Sequence, residues 1–136
     1  MKKFRELALT LVEVGRVLRI LPRIEWARRR QGPRALLEHL RRQGRRARER
    51  DGLGRERLCR AIRWVDACMI GGGNCFRRAL LEMALDRGAA GDPLLMGFNV
   101  HGGRLAGHAW LPADDTGERR GVGSPVPPAY QFTVRL

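Results

Sequence analysis

The sequence is short of cysteine, of lysine, of aromatic side chains and of long apolar runs, and most of these shortages exclude something. No stretch approaches ~18–20 uncharged apolar residues, so nothing in it is expected to span a membrane. Glu6 and Glu13 interrupt the residues after Met1-Lys2-Lys3, and no small-residue cleavage site follows, so no secretory signal is expected. Three unevenly spaced cysteines make no disulfide framework, which suits a reducing cytoplasm. There is no CxxC and no HxxxH; a zinc site built from Cys75, His101 and His108 is therefore disfavoured, and no cofactor or metal is expected. Aromatic residues are 6% of the chain, while 43% of it is hydrophobic, an ordinary share for a globular protein. At 136 residues there is room for one good core and not for two.

What is abundant is arginine, and it is unevenly placed. Arg outnumbers Lys 25 to 2, and the formal charge is +13. Residues 1–60 hold 19 basic against 7 acidic side chains, whereas residues 61–136 hold 8 against 7. Such a front half favours acidic partners. The run from Arg41 to Arg50 can in principle contact phosphates, but it lacks interleaved aromatics and a helix-turn-helix pattern. A solvated helix face is the simpler reading, and nucleic acid binding stays a secondary alternative.

Periodicity places helices first. Leu7, Leu11, Val14, Leu18 and Leu21 predict an amphipathic helix over 4–21 that Pro22 ends. A second helix is expected from Pro33 to about Arg48, and a break at Asp51-Gly52-Leu53-Gly54. A third runs from about Arg55 to Met69 with Leu58, Ile62, Val65 and Met69 on one face. After Gly71-Gly72-Gly73, Asn74 is the N-cap of a fourth helix, about Cys75 to Arg87, with Gly88 as its stop. Strands are then expected over 94–100 and 105–111, joined at His101-Gly102-Gly103. A turn at 113–117, a weak strand near 119–122 and an edge strand over 130–134 follow. Helices first and a small antiparallel sheet last make the fold class α+β. The division expected is a basic helical N-terminal subdomain, 1–54, and a core, 55–136.

Two residues carry the chemistry. Cys75 opens a helix after a glycine-rich loop, where free N–H groups and the helix dipole favour a thiolate and can hold a developing oxyanion. Its plain structural reading is a small buried apolar side chain. His108 lies in the strand segment Gly107-His108-Ala109-Trp110; facing the Cys75 helix it can take the thiol proton, and otherwise it is a hydrogen-bonded, half-buried histidine. Arg77 and Arg78 stand in the first turn beside Cys75, and Trp110 can line a cleft beside His108; Trp26 and Trp64 are expected to pack, and His39 to lie on the surface.

These segments resemble a known family. Cys75-Phe76-Arg77-Arg78-Ala79-Leu80 is similar to the Cys-Leu-x-Arg-Ala-Leu box of the leader peptidases of lasso-peptide maturation, which have a transglutaminase-like (papain-like) core. Arg87-Gly88, the strand Leu94-Leu95-Met96-Gly97-Phe98-Asn99-Val100 and His108-Ala109-Trp110 follow in that family's order, with 33 positions from Cys75 to His108. The resemblance covers about residues 58–136. It implies a cysteine peptidase that removes the leader from a ribosomally made precursor peptide, with Cys75 as nucleophile, His108 as base, and Trp110 and Arg78 toward the substrate. It also implies two protein partners, a leader-recognition protein and an ATP-dependent cyclase. The family's third residue, an Asp on the strand after His-Ala-Trp, has no clear counterpart: Gly121, Val122 and Gly123 stand opposite His108 in the expected register. Asp115 and Glu118 are the candidates for that role. Without an acid the chain could instead be a catalytically inactive binding or scaffold member of the same pathway.

Overall fold

A computed structural model describes residues 1–69, 71–111 and 132–136. It contains α1 (Lys2–Arg30), α2 (Pro33–Arg45), α3 (Gly52–Ala67), α4 (Cys75–Leu85), the single turn α5 (Arg87–Ala90), β1 (Leu95–His101), β2 (Arg104–Trp110) and β3 (Phe132–Arg135). The sheet is antiparallel in the order β2-β1-β3. Helices precede strands, as the α+β reading expects. The turn at 113–117 and the weak strand near 119–122 lie outside the described residues.

The first helix departs from its expected form in two ways. It runs through Pro22 to Arg30, although an interior proline removes a donor and crowds the preceding turn. Ile20, Leu21, Ile24 and Ala27 are buried on either side of that proline, and the apolar area they cover holds the helix together across it. The inward face also differs. Thr10, Glu13, Val17, Ile20, Leu21, Ile24 and Ala27 are buried, while Leu7, Leu11 and Leu18 face out. The inner stripe was hidden because two of its members are polar. Thr10 Oγ1 donates to the Glu6 carbonyl at 2.9 Å. Glu13 accepts from Arg16 at 2.6 Å and from Arg50 at 2.7 Å.

Other boundaries move for reasons of capping. Asp51 Oδ1 accepts the Gly54 N–H at 2.7 Å, so the expected break is instead the N-cap and first turn of α3. α4 ends at Leu85 because Asp86 turns to cap α5, taking the Gly88 N–H at 3.1 Å. The hairpin is as expected: His101 pairs with Arg104, and Gly102 and Gly103 have φ of 56° and 75°, which a two-residue turn demands.

α4 is the central element. It packs against α1, α2, α3, α5 and β2. Leu80, Leu81 and Met83 on α4 join Ile24, Leu40, Leu58, Ile62 and Leu94 in one buried cluster. Side chains from both sides of residue 54 therefore share this cluster. Gly44 sits where α2 crosses α4, and a Cβ there would collide with the Met83 carbonyl. The arginine run is partly structural: Arg50 bonds Glu13 and the Leu85 carbonyl, and Arg41 bonds the Leu136 carbonyl at 3.1 Å.

Candidate active site

Cys75 is the first residue of α4 and is half-buried. Asn74 Oδ1 accepts the Arg77 N–H at 2.9 Å, which fixes the helix start as the sequence predicts. The Cys75 Sγ receives a hydrogen bond from the backbone N–H of Ala109 at 3.3 Å. Neighbouring residues of a strand point their N–H groups to opposite sides. Ala109 spends its donor on sulfur, so the sulfur sits at the outer edge of β2, away from β1. His108 is the residue immediately before Ala109 and is paired in register with Gly97. The Ala109 side chain is buried in the core, and His108 and Trp110 alternate to the other face, where both are half-buried. Their rings stack, 5.7 Å between centroids and 18° between planes. The structure thus brings Cys75 to the strand that carries His108, with Trp110 alongside. Asp115 and Glu118 lie outside the described residues.

The start of α4 is held by a residue that sequence reasoning missed. Asp66 on α3 is fully buried. It accepts from Arg77 Nη1 at 2.8 Å, from Arg78 Nε at 2.7 Å and from the Gly73 N–H at 3.0 Å. Arg77 Nε reaches on to Glu25 of α1 at 2.9 Å, and Glu25 also takes Arg28 at 2.8 Å. A buried carboxylate needs partners of this strength to offset its desolvation. One acid therefore ties the glycine loop, the first turn of the Cys75 helix and, through Arg77, the first helix. The guanidinium groups expected beside the thiol are both committed to carboxylates, with the Arg78 side chain 21% exposed. A signal for Asp66 did exist: it lies four residues after Ile62, on the buried side of α3, with two arginines 11 and 12 positions downstream.

The electrostatics separate anchors from reactive groups. Burial pushes the Glu25 carboxyl up, but the hydrogen bonds from Arg77 and Arg28 outweigh it and leave the group below its ordinary 4.5. Burial lowers Arg77, and Glu25 and Asp66 more than restore it. Cys59 is different: burial, reinforced by Glu82, pushes its thiol up to about 12, so it stays protonated and inert. Among the described residues no three His, Cys, Asp or Glu side chains gather as a metal site. None of the described helices is long and apolar enough to cross a membrane.

The structure thus sets a helix-start cysteine against the edge of a histidine-bearing strand. The family model of the transglutaminase-like superfamily matches residues 17–134, and the chain belongs to that superfamily. The superfamily includes cysteine peptidases. No curated protein and no solved structure matches the chain.

Proposed function

We propose that the protein is a cysteine peptidase that removes the leader from a ribosomally made precursor peptide, in lasso-peptide maturation or a related pathway. The observation that carries the reading is the Cys75 sulfur at the start of α4, 3.3 Å from the backbone N–H that follows His108. Membership of a superfamily that includes cysteine peptidases supports the reaction class. The Cys75–Leu80 and His108–Trp110 boxes support the substrate class.

In this mechanism His108 accepts the Cys75 proton, and the sulfur bonds to the carbonyl carbon at the leader–core junction. The developing oxyanion lies near the free N–H groups of the α4 N-terminus. His108 returns the proton to the leaving amine as the C–N bond breaks, which frees the core peptide and leaves the leader as a thioester. Water adds to the thioester, His108 takes its proton, and the C–S bond breaks to give the leader carboxylate and the thiol. Trp110, stacked on His108, restricts the imidazole and borders the place where substrate enters. A leader-recognition protein would present the substrate, and an ATP-dependent cyclase would take the freed core amine.

The test is cleavage of the precursor, followed by mass spectrometry with the recognition protein present. Cys75→Ala and His108→Ala should each abolish it, while Cys68→Ala should not. Cleavage that survives both substitutions rules the mechanism out. A wild-type protein that binds the precursor without cutting it would indicate the scaffold role instead.

A further inference from the structure

The outward face of α1 is apolar although nothing among the described residues covers it. Phe4, Leu7, Leu11 and Leu18 are 78, 48, 55 and 53% exposed. At 3.6 residues per turn, these four and Pro22 fall within an arc of about 60°. The buried stripe is centred about 130° away and adjoins one edge of this arc through Val14 and Leu21, so α1 is apolar well beyond the face it buries. Gly15 lies between Leu11 and Leu18 along the helix, at the arginine-side edge of the second stripe. A helix-interior glycine is destabilising relative to alanine, and a Cβ at Gly15 would meet nothing within 4 Å. The fold thus supplies no reason for this glycine. It leaves a notch in the stripe. At its end the stripe runs into a groove of about 460 Å³ lined by Pro22, Arg23, Trp26, Ala27, Gln31 and His39.

Charge narrows the occupant. Exposed Arg5, Arg16, Arg19 and Arg23 lie on one side of the stripe, about 60–120° beyond its edge, with exposed Val12 among them. Apart from Lys3 in the first turn, the other flank turns past Val14 into the core. A helix lying in a membrane surface carries cations on both flanks of its apolar arc and has no use for a notch, because lipid tails are fluid. A second copy would set one +13 chain against another. Three- and four-residue spacing with a notch is the pattern into which another helix inserts its side chains. We infer that the outer face of α1 docks an amphipathic helix of a partner protein, apolar on one side and lined with Asp or Glu along the edge that meets the arginine flank. This holds whether or not the peptidase reading does.

The experiment uses the full chain and a labelled synthetic helix of about three heptads, with Leu along its seam and Glu along its edges. Fluorescence anisotropy should show saturable binding, weakened about tenfold or more as salt rises. Leu7→Asp, Leu11→Asp and Gly15→Leu should each weaken it at least about tenfold without a marked fall in the thermal midpoint of the protein, which Gly15→Leu should raise slightly. Absence of binding, or equal binding of the helix with Lys in place of Glu, overturns the inference. So does binding of phosphatidylglycerol vesicles that the same substitutions abolish, or dimerisation through this face in sedimentation. A marked fall in the midpoint of the Leu→Asp variants would show that the chain itself covers the stripe, and would also overturn it.

Discussion

Arg77 is two residues from Cys75 in the chain, and its guanidinium bridges two carboxylates, Asp66 and Glu25, on two other helices. Its side chain is only 6% exposed, so removing it strands the carboxylates as uncompensated charges away from water. Arg77→Met should cost about 3 kcal/mol in urea unfolding, the order expected for breaking a buried pair. Arg77→Lys should recover only part of this, because an ammonium on a flexible stem lacks the fork that meets two carboxylates at once. If Arg77→Met unfolds at the wild-type urea concentration, the network contributes nothing. Asp66, although it never touches the sulfur, is a positioning residue in this scheme. It sets where the glycine loop ends and where α4 begins.

Among the elements, α1 offers the clearest test of what packing does to local preference. Pro22 is exposed and lies mid-helix. Alanine there restores a backbone donor and relieves the preceding turn, so Pro22→Ala should stabilise the protein by about 1–3 kcal/mol in the same urea titration. Unchanged or lower stability would mean that the core requires the proline's bend. The element types were legible in the sequence because the signals were local: the Asn74 cap, the Gly102-Gly103 turn and the stripe of α3 are each set by residues within a few positions. The place of Cys75 at a helix start was legible for the same reason. The inward side of α1 was not, because both of its faces are apolar and Glu13 is buried only by virtue of Arg50, 37 residues away. The Asp66 network was missed for a like reason. Its partners Glu25 and Arg77 are 52 residues apart in the chain and meet only after three helices have packed.

For the molecule as a whole, the acids are the scarce resource. Among the described residues, Glu6, Glu13, Glu25, Glu56, Asp66 and Asp86 are engaged in ion pairs with arginine. Glu25 lies below its ordinary value in the folded chain, against burial, because Arg77 and Arg28 hold its charge, and Glu6 lies below its own chiefly through Arg57. A depressed carboxyl contributes stability above its unfolded value of 4.5 and loses it as pH falls through the lower folded value. The urea midpoint should therefore be nearly flat from pH 7 to 5 and fall steeply below about 4.5, with growing positive self-repulsion adding to the loss. Glu25→Gln should make that fall shallower; an unchanged slope would remove Glu25 from the account. The same long-range ties bear on timing. The Ala109 backbone N–H that donates to the sulfur lies 34 residues downstream of it, and the helix start leans on acids from two earlier helices. In a chain still emerging from synthesis the sulfur at position 75 therefore lacks this partner. It gains it only once the hairpin has been made and folded back onto the start of α4.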